Sequence, residues 1–261
     1  MRPYLLVIAL TACGSPDGGG GGGDDAPEPD AKQAAHFGAV TITSYAAMAQ
    51  GTPFQGGAAT ARFWTDSCAV EVQGECTISD CSTTNWVSAG PITIKTSTGT
   101  MMLDPGANNS YPTMSAQAPL YTGGEMIMVS GTGAAVPAFS GTLVAPSKPT
   151  LTAPPPGNVI VDRSRDFTFS WSGGGSTDVW ITMSATAMPY KAIACTFAAS
   201  RGQATIPKAV LAALPAGTGS FGLNGYSISK REAGDWEVAL QAFYSAVWPD
   251  GTLAGGPTTI Q

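Results

Sequence analysis

Phe167-Thr168-Phe169-Ser170-Trp171-Ser172 alternates aromatic and hydroxyl side chains without a break. A period of two marks a strand, because successive side chains point to opposite faces. The stretch therefore predicts a half-buried strand with Phe167, Phe169 and Trp171 on one face. Gly173-Gly174-Gly175 then turns the chain into a second strand, Val179-Trp180-Ile181-Thr182-Met183. Further out, Trp236 to Val247 reads as a longer apolar strand with a central place in its sheet. Upstream, Val40-Thr41-Ile42-Thr43, Ile92-Thr93-Ile94-Lys95 and Met126-Ile127-Met128-Val129 are short, β-branched or apolar, and bounded by turn residues. One helix is predicted, Pro207 to Leu214, with proline in its first turn and Gly217 beyond its end.

One short helix among many strands predicts an all-β protein of Greek-key sandwiches. Proline clusters at Ala145-Pro146-Ser147-Lys148-Pro149 and Pro154-Pro155-Pro156 mark a junction, since proline cannot donate to a strand ladder. A division near 146 gives two immunoglobulin-like β-sandwich domains in tandem, 36–146 and 147–261, with the helix in the second. Each is close to the ~100 residues typical of that sandwich.

Charged residues make up only 11% of the chain, well below the roughly 25% of an ordinary soluble domain. The first half holds six acids against Arg62 and Lys95, and the second seven acids against eight bases. Neither half offers a basic stripe, so the electrostatic footprint of nucleic-acid binding is missing.

Upstream of 36 the composition changes. Gly18 to Gly23 is an unbroken glycine run, followed by Asp24, Asp25, Glu28 and Asp30 interleaved with Pro27 and Pro29. Such a stretch lacks the apolar surface to offset ordering entropy. Residues 14–35 therefore read as a tether with a mean span of about 25 Å. Before it, Arg2 and the apolar run Tyr4 to Leu10 lead into Leu10-Thr11-Ala12-Cys13. This layout resembles a bacterial lipoprotein signal peptide, residues 1–12, with Cys13 closing the lipobox. The apolar run is too short to span a bilayer as a helix. The resemblance implies that the Cys13 sulfur carries a diacylglycerol thioether and anchors the protein to a membrane. Gly14 rather than Asp follows the cysteine, so no inner-membrane retention signal is read.

Setting Cys13 aside leaves Cys68, Cys76, Cys81 and Cys195, which allow three pairings. Three of them fall within residues 68–81, so at least one bridge inside the first domain is expected. Cys195 then either bridges the domains or stays a lone buried thiol. A zinc site would want paired knuckles or histidine partners, and export favours disulfides instead.

Catalytic motifs are scarce. The single histidine, His36, sits at the junction of tether and first domain and reads as a solvated linker residue. No G-x-S-x-G elbow, Walker A loop or dinucleotide fingerprint is present. Ser227-Ile228-Ser229-Lys230 matches S-x-x-K, but its S-D-N and K-T-G partners are missing. Asp104-Pro105-Gly106-Ala107-Asn108-Asn109-Ser110 reads as a turn, with calcium binding as the minor alternative. Trp86, Tyr111, Tyr121, Tyr226 and Trp248 lie beside turn residues, where loop-borne rings would stack on a sugar. Trp171, Trp180 and Trp236 fall inside strand patterns and are assigned to the core.

Segments such as Ser88-Ala89-Gly90-Pro91-Ile92-Thr93, Val136-Pro137-Ala138-Phe139-Ser140-Gly141, Val161-Asp162-Arg163-Ser164 and Cys195-Thr196-Phe197 resemble the two-domain lipoproteins of the myxobacterial type. The resemblance implies architecture and compartment, namely lipid attachment at the outer membrane of a Gram-negative bacterium, on its periplasmic or cell-surface face. The expectation is thus a binding or structural module without catalysis, cofactor or metal, whose partner is a polysaccharide or an envelope protein. The competing expectation is a carboxylate-dependent hydrolase of envelope or extracellular polysaccharide.

Overall fold

Alternating burial organises the strands of the smaller sheets, such as Met126–Gly131 and Ile92–Thr96. The computed structural model describes residues 36–65, 70–79, 85–175, 177–187 and 190–261; the signal, lipidation and tether assignments, including Cys13, lie outside them. Up to residue 146 run β1 (His36–Ala49), β2 (Thr52–Trp64), β3 (Val70–Gln73), β4 (Cys76–Ser79), β5 (Ile92–Thr96), β6 (Gly99–Leu103), β7 (Met114–Ala116), β8 (Met126–Gly131) and β9 (Phe139–Val144). After it come β10 (Pro149–Ala153), β11 (Val159–Val161), β12 (Phe167–Gly173), β13 (Asp178–Ala185), β14 (Ala192–Ala198), β15 (Gln203–Ile206), α1 (Lys208–Leu211), β16 (Gly217–Ala233), β17 (Trp236–Ser245) and β18 (Gly255–Ile260). The protein is all-β, with sheets packed face to face.

Two small sheets cover one large one. The four-stranded sheet β6-β5-β8-β9 and the three-stranded sheet β10-β12-β15 each pack on an eleven-stranded sheet whose main path is β3-β4-β14-β13-β16-β17-β1-β2-β7. Ile92, Ile94, Leu103, Ile127, Val129 and Leu143 meet Val40, Ile42, Phe63, Val238 and Leu240 in one core. Leu151, Phe169, Trp171 and Ile206 meet Val179, Ile181, Met183, Ile193, Phe221 and Leu223 in the other. Phe169 and Trp171 are buried as their alternation predicts, with Phe167 packed partly against them.

The division at 146 separates the two small sheets, while the large sheet takes strands from both sides of it. β1 lies parallel to β17, pairing His36 with Trp236 and Ser44 with Tyr244. The β3–β4 hairpin crosses the other way and pairs with β14, Cys195 opposite Cys76. β16 serves both sandwiches: residues 217–222 pair with β18 and residues 224–233 with β17. Sheet pairing satisfies backbone donors wherever a partner strand is available, regardless of sequence distance.

The junction is itself packed. The Val247 N–H donates to the Pro149 carbonyl at 3.2 Å, and Lys148 Nζ donates to the Ala46 carbonyl at 3.2 Å. β17 is central, as its apolar run predicts, and with β1 it is buried on both faces; even Gln241 is 0% exposed. The predicted helix contracts to Lys208–Leu211, with Pro207 as its extended N-cap and the Asp166 carboxylate accepting from the Lys208 N–H at 2.8 Å. The helix presses Val210 and Leu211 into the core, and the turns that follow it add Leu214.

Candidate functional site

Most of the rings expected to be loop-borne turn out to be structural. Tyr111 is buried, accepts from the Ala89 N–H at 2.9 Å and donates to the Gly90 carbonyl at 2.7 Å, so it stitches the loop before β5 to the core. Tyr121 is buried edge-on against Tyr244, centroids 5.9 Å apart, and burial holds its phenol well above the ordinary range. Trp248 is buried with its indole N–H on the Pro154 carbonyl at 3.0 Å. Tyr226 lies in β16, stacked on Trp180 at 5.7 Å. These four correct the sugar-stacking expectation: turn residues beside a ring do not expose it when the turn folds back on a sheet.

Trp86 alone of the five stays half-exposed. It bridges to Trp64, stands edge-on to that ring at 6.4 Å, and carries the Arg62 guanidinium 5.6 Å above its face. Asn109 Nδ2 donates to the Trp86 carbonyl at 3.2 Å, so the turn holds this segment in place. Asn108 and Asn109 supply the positive φ values of that turn, 57° and 60°. Among the described residues no group of three or more His, Cys, Asp or Glu side chains could hold a metal ion. His36 begins β1 with its ring 4.9 Å from Trp236, which corrects its assignment to the linker.

Several of the described acids have structural duties. Asp162 accepts from Ser164, and Asp250 from Thr252, each closing a turn. Glu125 gathers the N–H groups of Ser97 and Thr122, and Glu75 pairs with Arg201 at 2.6 Å. Glu232 faces Glu237 across the β16–β17 ladder, yet Lys230 Nζ lies 3.1 Å from Glu237. Such an arrangement on a sheet face is an ion-paired strand surface rather than a cleft with opposed carboxyls. Ser227 and Lys230 do not form an S-x-x-K site. Both lie within β16, an odd number of residues apart and hence on opposite faces, and Ser227 Oγ donates to the Val144 carbonyl at 2.5 Å.

Three features escaped the sequence pattern. First, Trp171, Trp180 and Trp236 are all buried but in three separate clusters. Trp180 joins Tyr226 and Phe243 on the face of the large sheet turned away from both small sheets, with rings 4.6–5.7 Å apart. Second, Asp178 is half-buried beside this cluster, and burial raises its carboxyl pKa. A raised folded-state value means that ionisation weakens the fold, so this destabilisation grows as pH rises from the unfolded carboxyl's range through the folded one. Asp178→Asn is expected to be more stable than the parent at pH 7, with the gain gone below about pH 3. Urea denaturation at both values checks this; an equal difference at the two pH values would refute it.

The third feature is a set of outward methionines on the four-stranded sheet. Met102, Met126 and Met128 are 54%, 53% and 50% exposed. The doublet Met101-Met102 and the alternation Met126-x-Met128 were available in the sequence, but methionine has no fixed preference for either face.

The cysteine expectations divide. Cys76 and Cys195 form a disulfide joining the β3–β4 hairpin to β14, the bridging alternative for Cys195. Cys68 and Cys81 lie outside the described residues. Among the described residues no helix is long and apolar enough to cross a membrane.

The class these features define is an all-β sandwich protein, with one sheet shared by two cores. No family model matches the chain, and no curated protein matches it. Among solved structures it is similar to the fibronectin(III)-like modules of Clostridium thermocellum CbhA. That match has 11% identity, covers 79% of this chain and 94% of that one, and has a TM-score of 0.20. At that score the match decides nothing about topology or ligand.

Proposed function

We propose that the protein is a lipid-anchored binding or structural module of the outer membrane, held through Cys13 and presenting its sandwiches beyond a 14–35 tether. The observation that carries the reading is the deployment of polar groups: Asp162 and Asp250 close turns, Asp166 caps a helix, and Glu75 and Glu237 pair with bases, leaving sheet faces as the main presented surfaces. The lipobox resemblance and the oxidised Cys76–Cys195 pair support an exported location. The partner class is an envelope protein or a polysaccharide, and Trp86 with Arg62 is the aromatic edge available to it.

Two measurements test the parts separately. The full chain expressed in a Gram-negative host is expected in the membrane fraction with acyl mass on the Cys13 peptide, and Cys13→Ser is expected in the soluble fraction. An unacylated, uncleaved parent overturns the anchor. For partners, residues 14–261 are sedimented with envelope, peptidoglycan or insoluble neutral glycans. Retention on a glycan that falls about tenfold or more in Trp86→Ala supports the polysaccharide partner, since one stacking ring contributes about 1–2 kcal/mol. Retention on envelope alone assigns a protein partner, and no retention by folded protein overturns the binding role.

A further inference from the structure

We infer that the outward face of the four-stranded sheet is a methionine oxidation site, where Met102, Met126 and Met128 take oxygen from peroxides and turn an apolar surface polar. The placement follows from the strand period. Ile127 and Val129 of β8 point into the core, which forces Met126 and Met128 outward. In β6 the buried Leu103 leaves Met102 outward.

Register gathers these side chains on one surface. Met126 stands opposite Val144, Met128 lies between Lys95 and Thr142, and Met102 is opposite Thr93 on the far side of β5. Val144 is 41% exposed, so the thioethers and this valine make up the face's apolar part. Met183, 0% exposed in the other core, is the internal standard. A thioether is oxidised from its sulfur lone pair, and solvent access decides which sulfurs react.

In the reaction the sulfur lone pair attacks one peroxide oxygen and the O–O bond breaks. The sulfur loses two electrons and becomes a sulfoxide, while the departing hydroxide takes a proton and leaves as water. Lys95 and Thr142 flank Met128 across the ladder, so the new oxygen is formed among donors. The sulfoxide is polar and is returned to the thioether by sulfoxide reductases. The core is untouched, because no buried group changes.

The test treats residues 14–261 with limiting hydrogen peroxide and follows each methionine peptide by mass spectrometry. Met102, Met126 and Met128 are expected to oxidise at least about tenfold faster than Met183, with circular dichroism unchanged. On a hydrophobic-interaction column the oxidised protein is expected to elute earlier. With Met114, 43% exposed on β7, replaced by Leu in both proteins, the variant also carrying Met102→Leu, Met126→Leu and Met128→Leu keeps side-chain volume and is expected to show no such shift. Equal rates for Met183 and the three outward residues would overturn the inference. So would an elution shift that persists in the leucine variant.

Discussion

Gly225→Val is expected to abolish the soluble folded state, and Gly225→Ala to weaken it by about 3 kcal/mol, the upper end of ordinary overpacking. Gly225 lies in β16, paired with Val179 on one side and Tyr244 on the other, so its backbone cannot shift without disturbing two ladders. A Cβ there would stand 2.2 Å from the Ser147 carbonyl oxygen and 3.3 Å from Pro149 Cδ. The obstacle is the backbone of the junction, stiffened by Pro146 and Pro149 and tied to Val247. This is where the junction crosses the large sheet between its two cores: Leu223 faces one and Ala233 the other. At about 2–4 °C per kcal/mol, Gly225→Ala should melt about 6–12 °C lower. Gly222→Ala on the same strand is the control, since its new Cβ would meet only Thr182 Oγ1 at 3.5 Å. A Gly225→Ala melting temperature equal to that of Gly222→Ala would show that the junction yields.

Removing the disulfide is expected to cost nearly as much or more. Cys76 and Cys195 are separated by 119 residues, and cross-linking so long a loop removes about 5 kcal/mol of unfolded-state entropy in the chain model, with measured losses of about 2–5 kcal/mol. The bridge also fastens the β3–β4 hairpin to the edge of the large sheet, where the ladder to β14 spans only Ala192–Cys195. Cys76→Ala with Cys195→Ala should therefore lower the melting temperature by about 5–15 °C. Amide exchange at Thr77 and Ile78 should rise well before exchange in β17, because the hairpin loses its covalent tie while the centre of the sheet does not. A double variant that melts with the parent, or whose hairpin exchanges no faster, would mean that core packing of Ile78 alone holds the hairpin.

Much of this architecture is local and therefore readable. Alternation at Phe167–Trp171 reports which face is buried, because strand geometry converts a period of two directly into sidedness. The largely apolar run from Trp236, broken only by Glu237 and Gln241 up to Phe243, fits a strand buried on both faces, and β17 is one. The proline clusters mark a junction because proline limits backbone geometry wherever it stands. The stacking expectation for Tyr111, Tyr121, Tyr226 and Trp248 failed for a different reason. Tyr111 lies between Ser110 and Pro112 in a segment that reads as loop, yet its hydroxyl satisfies two buried backbone groups some twenty residues away. Burial of a loop ring depends on where the loop lands.

The sequence by itself determined the strand-rich class, the sidedness of its amphipathic strands, the glycine-proline-acid composition of residues 14–35 and the absence of a histidine pair for catalysis. Each of these follows from composition or from spacing within a few residues. Tertiary structure alone decided that β1 pairs with β17 some two hundred residues away, that Cys76 meets Cys195, and that one large sheet serves two cores. It also decided that Met102, Met126 and Met128 share an outer face. Partner and register are set by which distant apolar faces fit together, and pairing energy carries no local mark in the chain.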